Sequence, residues 1–223
     1  MSNQTILEVT NLCKSVSAPE GVLTILDAVN MIISAGSSVA ITGSSGSGKS
    51  TLLGLLAGLD TPTRGEVIFD GQNISEMDED GRARCRAGSV GFVFQAFQLV
   101  HSLSALENVM LPMELAGQTN ARQQANAILK QVGLSERCSH YPSQLSGGEQ
   151  QRVAIARAYA VEPKILFADE PTGNLDQKTG AAISELLFDM NNHNETTLVL
   201  VTHDTTLAGQ CDVNYQLEAG YLV

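Results

Sequence analysis

The chain has 223 residues, 43% apolar and 17% charged, which suits one globular domain or one domain with a lobe. A net charge of −11, from 13 basic and 24 acidic side chains, argues against a general nucleic-acid binder. The longest apolar run, Leu52 to Leu59, falls far short of the ~18 residues of a membrane helix, and residues 1–10 read as polar and strand-like with no basic-apolar leader.

Ile6–Leu12 and Ala28–Ile33 alternate enough to be strands, and the polar stretch Ser15–Gly21 between them is expected to be a loop. Ser38–Thr42 is short, apolar and β-rich, as a buried strand is. It feeds Gly43-Ser44-Ser45-Gly46-Ser47-Gly48-Lys49-Ser50, which fits the phosphate-binding pattern G-x-x-x-x-G-K-[ST]. Glycines at 43, 46 and 48 permit backbone conformations that turn successive N–H groups toward phosphate oxygens. Lys49 adds a point charge for the terminal phosphates, and the Ser50 hydroxyl is placed for Mg²⁺. Thr51–Ala57 reads as a helix whose positive end faces the same anion. Gly65–Gly71 is a further strand ended by an Asp-Gly turn, and the early strands are expected to form a small antiparallel sheet.

From Ala96 to about Ala160 the spacing is helical, broken at Gly117, Gly133 and Pro142, with an amphipathic helix over Ala121–Val132. Two apolar strands return at Lys164–Asp169 and Leu198–His203, linked by a helix over Gly180–Asn191, an order that implies a right-handed parallel crossover. Asp169 and Glu170 end an apolar strand, where a parallel sheet lines its ligand crevice. Asp169 suits Mg²⁺ held through its water shell, and Glu170 suits a general base, with Pro171 steering Glu170 toward an extended backbone. Ser146 and Glu149 make a capping box, which leaves the two glycines between them unexplained; bare backbone at a helix N-terminus suits an anion. Cys13, Cys85, Cys138 and Cys211 have no C-x-x-C spacing and read as reduced thiols.

Leu145-Ser146-Gly147-Gly148-Glu149-Gln150 is the signature of ATP-binding cassette (ABC) ATPases. The other motifs of that family follow its order: the phosphate loop at 43–50, Gln95, Ile165–Glu170, Gly173-Asn174-Leu175-Asp176 and His203. The resemblance spans nearly the whole chain. It implies an α/β fold with a P-loop NTPase (RecA-like) parallel-sheet core, an antiparallel β subdomain and an inserted helical subdomain. One cassette would cover 1–223, with the core at about 1–95 and 161–223 and the helical part at 96–160. It implies ATP and Mg²⁺ as ligands, with Gly43 to Thr51 on the nucleotide and Ser50, Gln95 and Asp169 at the metal. Glu170 would activate water, His203 would contact the γ-phosphate and Gln95 would sense a membrane partner. Two copies would pair head to tail, so that Ser146, Gly147, Gly148 and Glu149 of one complete the ATP site of the other, with Asp176 coupling the two sites.

One departure is plain: the family's adenine-stacking aromatic is missing, the matching stretch being Lys14-Ser15-Val16. The run Pro171–Asp176, with Phe94–Leu99 and Ala105–Val109, is similar to the ATPases of lipoprotein-release, macrolide-export and cell-division systems. That similarity implies an integral membrane permease subunit as partner and a peripheral place on the inner membrane, with Phe97 and Leu99 as candidate docking residues. A soluble ABC protein acting on DNA or ribosomes is the alternative; the acidic balance and the lack of a heptad run speak against it. His101, His140 and His193 read as ordinary surface or loop residues.

Overall fold

The computed structural model describes residues 4–19 and 21–223. The chain divides into two compact units, Met1–Ala87 with Thr197–Val223, and Gly88–Thr196.

The first unit opens with β1 (Thr5–Ala18) and β2 (Gly21–Ser34), paired antiparallel along their length from Thr5↔Ser34 to Ala18↔Gly21. This corrects the loop expected over Ser15–Gly21, of which residue 20 lies outside the described residues, as do residues 1–3 of the polar N-terminal stretch. Ser15↔Thr24 and Val16↔Leu23 are strand pairs. Val16 and Leu23 are 37% and 57% exposed, so this end of the ribbon has no apolar side to alternate with, and its polarity reflects solvent on both faces rather than an unpaired backbone.

After β3 (Ser38–Thr42), buried through Ile41, the chain turns into α1 (Lys49–Leu56). Gly58, at φ 66°, ends α1: its N–H reaches the Leu55 carbonyl while Leu59 reaches Gly54, the paired bonds of a Schellman stop. β4 (Arg64–Phe69) and β5 (Gln72–Asn73) extend the antiparallel sheet expected of the early strands, in the order β2-β1-β4-β5, with Asp70-Gly71 turning between them. α2 (Glu79–Arg86) buries no residue; the Asp78 cap and ion pairs from Glu79 to Arg82 and Arg86, each 2.7 Å, hold it.

The second unit begins with β6 (Val90–Phe94) and continues through α3 (Ala105–Leu115), α4 (Ala121–Gln131), α5 (Gly147–Tyr159), β7 (Ile165–Asp169) and α6 (Gln177–Asn194). β6 runs parallel to β7, from Val90↔Ile165 to Phe94↔Asp169. Gly117 and Gly133, the expected breaks, close α3 and α4 with Schellman stops from φ 74° and 75°. Val109, Met113, Leu129, Val132 and Val153 pack as the core of the helices. Leu99, expected at a docking surface, is 7% exposed and belongs to that core, with Phe97 half-buried against it; an apolar side chain beside a helical core gains more from burial than solvent exposure allows.

The chain then returns to the first unit with β8 (Thr197–Val201), α7 (Thr205–Ala208), β9 (Val213–Glu218) and β10 (Tyr221–Leu222). β8 and β9 flank β3, both parallel to it, and β10 lies antiparallel on β9. β8 is buried at all five residues, the pattern of a central strand covered on both faces.

Candidate functional site

In the first unit the phosphate loop leaves the C-terminal end of β3. Gly43, Gly46 and Gly48 take φ of 154°, 79° and 102°, conformations that side-chain-bearing residues rarely adopt. Gly43 is also fixed by space: a Cβ there would lie 2.2 Å from the Leu217 carbonyl oxygen of β9. Lys49 and Ser50, in the first turn of α1, are half-buried and exposed. Lys49 Nζ donates to the carbonyls of Gly43 and Ser44, both at 2.9 Å, which folds the ammonium back over the loop. Ser47 is 4% exposed and its Oγ has no hydrogen-bond partner.

The start of α1 lacks a side-chain cap. α2, α3, α5 and α6 each have a side chain accepting from a first-turn N–H, whereas α1, like α4, has no side-chain cap bond and no acid in its first turn; α1 alone of these two follows a phosphate loop and is capped by a glycine, Gly48. An uncapped helix N-terminus, a folded-back ammonium and a buried unpartnered hydroxyl suit a phosphorylated ligand. His203 enters the same end of this unit: Ile41 pairs with Val201, Thr202 N–H reaches the Ile41 carbonyl, and exposed His203 follows.

In the second unit the paired ends Phe94↔Asp169 bring Gln95 and Glu170 out of adjacent strands. Glu170 has φ 46°, which corrects the extended backbone expected from Pro171. A following proline favours an extended backbone, and at Glu170 that local preference is overridden. Here the Gly173 N–H donates to the Glu170 carbonyl at 3.0 Å and closes a turn. Holding a glutamate left-handed costs about 1–3 kcal/mol and persists where its surroundings over-determine it. Gln95 Nε2 donates to Asn174 Oδ1 at 3.1 Å, and Asn174 Nδ2 returns a bond to the Gln95 carbonyl at 2.9 Å. A Cβ on Gly173 would lie 2.8 Å from Gln95 Nε2, so the amide packs against bare backbone.

The signature segment starts α5 as the sequence suggested. Ser146 Oγ and N–H both donate to Glu149 Oε2, at 2.9 and 2.8 Å, and Glu149 N–H returns a bond to Ser146 Oγ. Arg137 adds an ion pair at 2.8 Å. The Ser146 N–H, then Arg137 and the Ser146 hydroxyl, lower the Glu149 pKa to about 2. The glycines separate in role. A Cβ on Gly148 would lie 2.5 Å from Thr179 Cγ2 of α6, so Gly148 has a packing reason independent of any anion; a Cβ on Gly147 would meet only ordinary contacts, at 3.4 Å to Leu175 and 3.7 Å to Phe97. Asp176 caps α6, accepting from Lys178 and Thr179 N–H groups at 3.1 Å; the Thr179 hydroxyl first, and then these backbone bonds, hold its carboxyl below the usual range.

Three supporting side chains escaped the sequence reading. Gln151, fully buried on α5, donates to the Pro171 carbonyl at 2.8 Å, next to Glu170. Arg157 grips the carbonyls of Phe97 and Gln98. Buried Asn108 accepts from the Val100 N–H at 2.8 Å and donates to the Val100 carbonyl at 3.1 Å. Their signal was a polar group inside an apolar run, such as Arg157 within Val153–Tyr159, where a buried donor needs a partner.

A family model described as ABC transporter matches residues 26–173. The chain belongs to the ABC transporter family. It is 53% identical over 224 residues to the ABC transporter ATP-binding protein YbbA of Escherichia coli (strain K12), covering 100% of this chain and 98% of that one. It is 46% identical over 227 residues to the lipoprotein-releasing system ATP-binding protein LolD of Pseudomonas syringae pv. tomato, covering 100% and 99%. Among solved structures, the ABC cassette MJ0796, described as a dimer in a post-hydrolysis state bound to ADP and Pi, superposes with a TM-score of 0.89 at 41% identity, covering 97% of this chain and 96% of that one.

Proposed function

We propose that this ABC transporter chain is the ATP-binding, ATP-hydrolysing subunit of a lipoprotein-release-like system, pairing with a second copy around two ATP to drive an integral membrane permease. Relatives with the names YbbA and LolD along the whole length, and the dimeric MJ0796 cassette, support this reading over a soluble ABC protein. Among the described residues no helix is long and apolar enough to cross a membrane, so attachment at the inner membrane falls to the permease. The chain acts as one cassette over 1–223, with 96–160 as its helical part.

The observation that carries the reading is the uncapped start of α1 under a phosphate loop whose three glycines all have positive φ. Gly43 to Thr51 bind the ATP phosphates through backbone N–H groups, with Lys49 adding a positive charge. Ser50, Gln95 and Asp169 would hold Mg²⁺, which neutralises charge on the phosphates. All three offer oxygen, as a hard cation requires, and Gln95 uses its nitrogen, not its oxygen, on Asn174. Glu170 accepts a proton from the attacking water, and His203 donates toward the γ-phosphate. Ser146, Gly147, Gly148 and Glu149 of the second copy close each site, and Asp176 links the two. Adenine meets the aliphatic Val16 in place of an aromatic ring.

Lys49→Ala tests the loop assignment. Equilibrium binding of ATP should weaken roughly 10- to 100-fold, the loss of a charge-assisted contact. Unchanged binding in a folded variant rejects the phosphate loop. In detergent extracts the wild-type chain should co-purify with a multi-helix membrane protein in stoichiometric amount; recovery of ribosomes or nucleic acid instead rejects the transporter reading.

A further inference from the structure

Past the end of β6 the backbone bends in an unfavourable way. Phe97 and Gln98 take φ of 60° and 50°, consecutive left-handed residues with no glycine between them. One guanidinium fastens both. Arg157, in the last turn of α5, donates from Nη1 to the Gln98 carbonyl at 2.6 Å and from Nη2 to the Phe97 carbonyl at 3.1 Å. Burial lowers the Arg157 pKa, so its head is partly stripped of water and spends its donors on these carbonyls. The far side of the bend is anchored separately, since buried Asn108 holds both backbone groups of Val100. On the near side, two residues before Phe97, stands Gln95 with its bonds to Asn174.

We propose that Arg157 is a positioning residue for Gln95: its two-carbonyl grip sets the Phe97-Gln98 bend and thereby the direction in which the Gln95 side chain leaves β6. The same grip ties that direction to α5, the helix that begins with Ser146–Glu149, so a shift of α5 moves Gln95 with it. The proposal rests on the reading of Gln95 as a residue of the hydrolysis site. The guanidinium holds the two carbonyls from separate nitrogens of one rigid plane, a geometry that the single flexible ammonium of a lysine does not keep.

The test measures kcat, KM for ATP and Tm for wild type, Arg157→Lys, Gln95→Ala and the double variant. Arg157→Lys should lower kcat about tenfold, as a displaced catalytic group does, with KM changed less than about twofold. In the Gln95→Ala background the same substitution should cost nothing further, because Arg157 acts through Gln95. An equal loss in both backgrounds, or wild-type kcat in Arg157→Lys, overturns the proposal. Gln95→Ala at wild-type kcat sinks instead the reading of Gln95, an outcome visible without touching Arg157. Should Arg157→Lys not fold, the comparison moves to a Gln98→Gly background, where the left-handed bend has no side-chain cost. There a loss that needs Gln95 supports the grip, and a loss indifferent to Gln95 overturns it.

Discussion

Gly147 and Gly148 stand side by side in the signature segment, yet the structure asks different things of them. A methyl at 148 would press on Thr179 Cγ2 at 2.5 Å, while one at 147 would meet ordinary contacts. Overpacking costs ~1–3 kcal/mol, which in a chain of this size lowers Tm by roughly 5 °C. Gly148→Ala should show that loss and Gly147→Ala should not, because alanine favours a helix. Thr179→Ser removes the offending methyl and should restore Tm in the Gly148→Ala chain. Equal Tm for both single variants, or no rescue by Thr179→Ser, would mean that α6 does not set the residue at 148. At this scale the sequence was legible wherever the reason was local: glycines in a phosphate loop or a capping box need only near neighbours. The left-handed Glu170 was not legible, because Pro171 favours an extended backbone there and the turn closed by the Gly173 bond overrides that preference.

At the scale of elements, long-range pairing decided what could be foreseen. Buried β3, β7 and β8 announce themselves as apolar runs. The outer half of the β1–β2 ribbon does not, and α2, with no buried face, carries only its cap and charges as signals. The bonds joining Gln95 to Asn174 cross 79 positions of sequence and left no mark on either residue. α5 gathers several of these connections: Gln151 reaches Pro171, Arg157 reaches Phe97 and Gln98, and its first turn is closed by Ser146, Glu149 and Arg137. That first turn makes α5 sensitive to acid. Glu149 has a folded pKa near 2 against an ordinary 4.5, so its contribution is complete above 4.5 and is lost as pH falls toward 2. Glu149→Gln should cost about 1 kcal/mol at neutral pH, the worth of a helix cap near the dipole, and the gap from wild type should close across that window. Thermal melts of both proteins at a series of pH values check this; a gap that persists at pH 2 removes the charge from the account.

For the whole molecule the central matter is that the phosphate loop and the signature segment of one chain are proposed to serve different ATP molecules. A twofold head-to-tail pair uses the same surface on both copies, so each of its two sites draws one loop from each chain. Complementation reads this arrangement directly. Lys49→Ala disables the phosphate loop and leaves the signature segment intact. Gly147→Asp does the reverse; a Cβ at Gly147 meets only ordinary contacts, and the added carboxylate repels a phosphate. Each variant alone should hydrolyse ATP at background rate, since every site in its homodimer contains one defective half. Mixed in equal amounts, half of the pairs are hybrids, and each hybrid has one site built from two intact halves. If one intact site turns over by itself, the mixture should recover roughly a quarter of wild-type activity. Pairing of each phosphate loop with the signature segment of its own chain predicts no recovery at any mixing ratio. Variants that form hybrid pairs but never complement would therefore rule out the shared site, while leaving nucleotide binding at the phosphate loop untouched.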